Sequence, residues 1–107
     1  MYHPAISQEK WNALSTIEQM ANIGSEVSRA INWKQKDKVT MQMAVYRALE
    51  LLTLSVEDKK NARGLKEILR VRECLADYFF GDNVYKFTDK WWQKYFLEYA
   101  IAARRHT

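Results

Sequence analysis

Histidine and cysteine carry much of the nucleophilic and metal chemistry of proteins near neutral pH, and this sequence is poor in both. His3 and His106 each lie within a few residues of a chain end, and Cys74 is the single cysteine. A Ser–His or Cys–His pair needs its histidine held rigidly beside the nucleophile, which chain ends seldom provide. One cysteine forms no internal disulfide and leaves zinc without its usual sulfur ligands. The three glycines are widely separated, so no glycine-rich phosphate cradle is present, and the Glu-x-x-His pairs of di-iron bundles do not occur. The expectation is a chain with no catalytic residue, no cofactor and no metal.

Two groups of residues remain as candidates for binding. In the series Leu65, Ile68, Arg72, Leu75, Phe79, Arg72 interrupts an apolar seam of helical spacing. A guanidinium buried there must be paired and hydrogen-bonded. Glu73 points away and Asp77 is about 140° round the helix, so its partner is expected from another helix or subunit, unless the side chain reaches out to water. The second group is aromatic: Tyr78, Phe79, Phe80, Tyr85, Phe87, Trp91 and Trp92, interleaved with Lys86, Lys90 and Lys94. Consecutive rings on a helix cannot all face one way, so part of this cluster is core and part is left as surface. Exposed aromatic surface marks protein interfaces, and beside cations it can also stack bases. Arg104 and Arg105 close the last helix and add a basic end.

The elements that position these residues are helical. Ser7 caps a short helix through Leu14 that carries Trp11, and Ser15-Thr16-Ile17-Glu18 fits a capping box. Behind the box, Ile17, Met20, Gly24, Val27 and Ile31 recur at spacings of three and four. Gly24 costs about 1 kcal/mol against alanine there, which close approach of a neighbouring helix would explain. Asp37 caps a helix carrying Met41, Ala44, Val45, Ala48, Leu51 and Leu52. Lys59 to Gly64, the most polar stretch, reads as a helical turn and loop. The Arg72 helix stops at Gly81-Asp82-Asn83, with glycine suited to a left-handed position. Thr88 caps the last helix, which ends at Arg104 and Arg105. The fold expected is all-α, residues 1–107 forming one domain: four main antiparallel helices in an up-down bundle with a short N-terminal helix.

Net charge is +4 from 17 basic and 13 acidic residues, and 48% of residues are hydrophobic. Signs alternate along most of the chain, as on solvated helix faces; nucleic-acid contact is permitted and not required. Met1 to Pro4 carries no secretory pattern, and no apolar run approaches the roughly 20 residues of a membrane span. A cytoplasmic protein that does not enter membranes is expected.

The helical order, the length and the stretch Arg72-Glu73-Cys74-Leu75-Ala76-Asp77-Tyr78-Phe79 resemble the HEPN superfamily over residues 15–105. These are helical bundles, often dimeric, many of them ribonuclease toxins or partners of small nucleotidyltransferases. Their motif is an arginine, a polar residue, and a histidine four to six residues on. Arg72 and Glu73 match its start, Asp77 stands at the histidine position, and Phe79 stands where a tyrosine is common. The missing histidine implies a non-catalytic member. Ala21 to Val27 also resembles small bacterial helical proteins, a likeness that carries no function. The sequence therefore favours a non-enzymatic, homodimeric interaction module that binds a protein partner, as in toxin–antitoxin pairs. RNA binding or a HEPN-like ribonuclease-related domain is the alternative. The residues expected to serve binding are Arg72, Asp77, Tyr85, Trp91, Trp92, Arg104 and Arg105.

Overall fold

The computed structural model describes residues 6–105, and among them there is no strand. The elements are α1 (Gln8–Asn12), α2 (Thr16–Trp33), α3 (Lys38–Glu57), a 3-10 turn (Lys59–Gly64), α4 (Leu65–Phe80) and α5 (Asp89–Arg105). The starts of α1, α2, α3 and α5 are each set by a side chain that satisfies first-turn amides, while α4 follows the 3-10 turn at Gly64 without one. Ser7 accepts from the Lys10 amide, and Asp37 accepts from Val39. At α2 the box is complete, with Glu18 N–H donating to Ser15 and Ser15 N–H donating to Glu18. Thr88 accepts from the Trp91 amide at the head of α5.

Side-chain pairs between the ends fix the directions. Tyr46 on α3 meets Phe80 at the end of α4, and Thr53 meets Arg72 further back, so α3 and α4 run antiparallel. Glu67 near the start of α4 takes hydrogen bonds from Tyr95 and Tyr99 late in α5, while Tyr78 meets Asp89 at the other end. Lys34 at the end of α2 also reaches Asp89. The four long helices thus form the expected up-down bundle. α2 packs closely on both α3 and α5, and α3 on α4; α4 and α5 meet mainly through long side chains.

The core runs through Met20, Ile23, Val27, Leu52, Leu75, Trp92 and Phe96, all buried. Small residues bring α2 and α3 together at Ala30, Ala44 and Ala48. Gly24 does the same for α2 and α5. A Cβ there would lie 2.7 Å from the Phe96 Cβ, so the helices approach too closely for alanine. Gly24→Ala is expected to cost about 1–2 kcal/mol, overpacking outweighing the gain in helix propensity. A melting curve unchanged from wild type would show that Phe96 can withdraw.

One end of the bundle is closed by a buried polar layer. Gln19, Ser55, Asp58 and Asn61 are all buried. The Gln19 amide donates to Asp58 (2.7 Å) and to the Trp11 carbonyl (3.1 Å). Asn61 donates to the Gln19 side-chain oxygen and to the Ser55 carbonyl, each at 2.9 Å, and accepts from the Thr16 hydroxyl. The Trp11 indole donates to the Ser55 hydroxyl at 2.9 Å, which lays α1 across this end. The stretch 59–64, the most polar in the sequence, therefore places Asn61 in the interior.

The stop of α4 differs from the sequence expectation. Gly81 has φ −106°, and the left-handed positions belong to Asn83 (φ 52°) and Lys86 (φ 60°). The demand for glycine at 81 is steric: a Cβ would come within 2.6 Å of an Asp77 carboxylate oxygen.

Candidate interaction surface

The helix phase of α4 decides the position of Arg72. The buried residues are Ile68, Val71, Cys74 and Leu75, so the seam runs through Val71 and leaves Arg72 at its edge. Arg72 is half-buried, and its guanidinium donates to the Thr53 hydroxyl of α3 at 3.3 Å. It is the outcome in which a long side chain reaches the surface. Asp77 is a loop organiser: its carboxylate accepts from the Val84 amide at 2.7 Å, and its carbonyl accepts from Gly81 and Asn83. The two residues face different partners and do not form one site.

Cys74 is buried, and burial pushes its thiol above the ordinary value, so it is not a nucleophile at neutral pH. Among the described residues no group of three or more His, Cys, Asp or Glu could hold a metal ion. His3, Pro4 and His106 lie outside the described residues.

What the structure does assemble is an aromatic ladder. Tyr85, Phe87, Trp91, Tyr95 and Tyr99 follow one another with ring centroids 6.2, 4.4, 5.3 and 5.7 Å apart. It runs up the seam between α4 and α5. α5 supplies three of its rungs because Trp91, Tyr95 and Tyr99 are spaced four apart and lie on one face. The loop held by Asp77 and Asn83 supplies the other two; Asn83 accepts from the Phe87 amide and donates to its carbonyl.

Carboxylates of α4 pin the ladder. Tyr85 donates to Glu73 at 2.9 Å, while Tyr95 and Tyr99 donate to one oxygen of Glu67 at 2.5 and 3.1 Å. Burial, reinforced by Glu67, drives the Tyr95 hydroxyl far above the ordinary tyrosine value. Tyr99 is raised chiefly by burial, and Tyr85 by its bond to Glu73. All three therefore stay protonated and act as donors. The Arg70 guanidinium lies 5.7 Å from the Tyr85 ring centre, within cation–π range.

Two neighbouring tryptophans divide sharply. Trp91 is 43% exposed, stacked nearly parallel to Tyr95, whereas Trp92 is 1% exposed and belongs to the core. Placing Trp92 among the binding residues is therefore corrected: α5 turns it towards α2, and no partner can touch it. Tyr85, also 43% exposed, shares the accessible surface with Trp91. Arg104 and Arg105 are exposed at the other end of α5, about 20 Å from Trp91 along the helix. Of the expected binding residues, Tyr85 and Trp91 share an exposed aromatic surface, linked through Phe87. The fold adds Phe87, Tyr95 and Tyr99, for which four-residue spacing on α5 was the available signal.

The ladder ends at a cleft of about 160 Å³ between Thr16, Lys60, Glu67 and Tyr99. Its polar groups are engaged by neighbours: Thr16 with Asn61, Lys60 with Asp58, and Glu67 with the tyrosines. No nucleophile stands beside a base there. Charge is unevenly spread along the chain. Eleven of the seventeen cationic side chains, but only six of the thirteen carboxylates, follow Asp58. The half of the chain that carries the ladder is thus the basic half. No helix among the described residues is long and apolar enough to cross a membrane. Comparison with protein-family models, with curated sequences and with solved structures gives no match.

Proposed function

We propose that the chain is a non-enzymatic interaction module, homodimeric, which docks a protein partner through the α4–α5 aromatic face. The observation that carries this reading is the exposure of Tyr85 and Trp91 on a ladder already locked by ring contacts and carboxylates. Aromatic anchors held in place before binding lose little side-chain entropy on contact, and such residues dominate interface energetics. The excess of cations in this half of the chain favours a partner with an acidic surface.

The test compares captured proteins on immobilised wild type and on Trp91→Ala, with circular dichroism showing both folded. A partner held by wild type and lost from the variant is the expected result. Retention of the same proteins by the variant would remove Trp91 from the interface.

The second reading, RNA binding, draws on Lys86, Lys90 and Lys94 interleaved with the aromatics and on Arg104 and Arg105. Here Arg104→Glu with Arg105→Glu should weaken binding of labelled single-stranded RNA and flatten its salt dependence, since phosphate contacts release counterions. Equal filter binding by the double variant would discard those arginines. A HEPN-like ribonuclease using Arg72 and Asp77 together draws no support from their separate partners. Asp77→Ala is expected to loosen the 81–84 turn, read as faster amide exchange at Val84. It is not expected to abolish any RNA cleavage.

A further inference from the structure

The outer side of α5 is left uncovered by the rest of the bundle. Trp92 and Phe96 turn towards the core, and the opposite side carries Lys90, Lys94, Leu97, Ile101 and Arg105. At about 100° per residue, these five fall within about 80° of one another round the helix. All are exposed, Leu97 by 51% and Ile101 by 40%. Cations thus stand before and after an open aliphatic pair. Among the described residues, Lys90, Lys94 and Arg105 enter no ion pair. Glu98, the one carboxylate of α5 near this stripe, lies at its edge towards Trp91.

We propose that this stripe seats a helix of the protein partner, aliphatic at its centre and carrying a carboxylate at each end. Lys94 and Arg105 are eleven positions apart, about 16 Å along the axis. A partner helix lying along α5 at a shallow angle rises equally per residue, so its acidic groups stand about eleven positions apart as well. Aliphatic side chains three or four apart between them cover Leu97 and Ile101. A helix does this with its own amides satisfied, where an extended segment would lay unpaired backbone on the aliphatic pair. The charges select this occupant. A second copy of the same stripe sets Lys94 against Lys94 when parallel, and Lys94 against Arg105 when antiparallel. Leu97 and Ile101 give a nucleic-acid base no ring to stack on. An anionic lipid surface is negative throughout and presses on Glu98, whereas a helix can set an uncharged side chain there. The inference rests on the reading of the chain as a protein-docking module; it adds the partner's shape and charge, and extends the docking face from Trp91 along α5.

Labelled synthetic helical peptides long enough to span Lys94 to Arg105, with glutamate or lysine ends and a leucine or serine centre, test it by fluorescence anisotropy on the full chain. The glutamate-ended, leucine-centred peptide should bind at least about tenfold more tightly than the lysine-ended or the serine-centred one. Leu97→Ser with Ile101→Ser should weaken it by a similar factor, with circular dichroism unchanged. Lys94→Glu with Arg105→Glu should transfer the preference to the lysine-ended, leucine-centred peptide. No preference among the peptides up to millimolar concentration, or a preference that outlasts both double variants, would overturn the inference. So would binding to phosphatidylserine vesicles or to single-stranded RNA that Leu97→Ser with Ile101→Ser abolishes while no peptide is held. Proteins captured by wild type and released by Trp91→Ala, but retained by both α5 double variants, would leave the docking reading standing and overturn the α5 seat alone. Retention by all three variants would overturn both.

Discussion

Trp92→Ala is expected to destabilise the domain by about 3–5 kcal/mol, while Trp91→Ala, one residue away, costs about 1 kcal/mol or less. Trp92 lies inside the contact between α2, α4 and α5, touching the rings of Tyr78, Phe87 and Phe96. Removing it opens a cavity that helices held by Lys34–Asp89 and Gly24–Phe96 cannot readily close. Its indole N–H is buried without a hydrogen-bond acceptor. Trp92→Phe should therefore cost far less than Trp92→Ala, because it keeps much of the volume and removes an unsatisfied donor. Urea unfolding followed by circular dichroism measures all three. Equal losses for Trp91→Ala and Trp92→Ala would contradict the division of the pair into surface and core.

The second large effect belongs to the polar layer. Asn61→Ala is expected to cost about 3 kcal/mol, because it strands the Gln19 side-chain oxygen, the Ser55 carbonyl and the Thr16 hydroxyl together. Asp58 makes the same layer sensitive to acid. Burial acts to raise its carboxyl pKa, but hydrogen bonds from Lys60 and Gln19 outweigh this and hold it below the ordinary 3.8. A depressed carboxyl contributes stability that is fully present above the unfolded value and is lost as pH falls through the folded one. Asp58→Asn should thus be destabilising at pH 6, with the difference from wild type shrinking once the pH drops below about 3.8. A difference that stays constant from pH 6 to pH 2 would mean that ionisation of Asp58 plays no part.

The helices were legible because their signals are local. Ser15 with Glu18, Asp37 and Thr88 act within one turn of their own amides, so the sequence alone shows where α2, α3 and α5 begin. The seam of α4 was harder. Ile68, Arg72, Leu75 and Ile68, Val71, Leu75 are equally good helical series, and only neighbouring helices choose between them. Asn61 was missed for a related reason. Lys59 to Gly64 has the composition of solvent-facing chain, and burial of one amide within it depends on Gln19, forty-two residues away. Trp91 and Trp92 likewise differ in no local property, and the packing of α2 against α5 separates them.

The seam between α4 and α5 is spaced by tyrosine rings tied to Glu67 and Glu73, not by close backbone contact. The width of a ring and the reach of a hydroxyl therefore set the distance between these two helices, where elsewhere in the bundle small residues set it. Shortening a rung by Tyr95→Phe removes a tether and keeps the spacer, whereas Tyr95→Ala removes both.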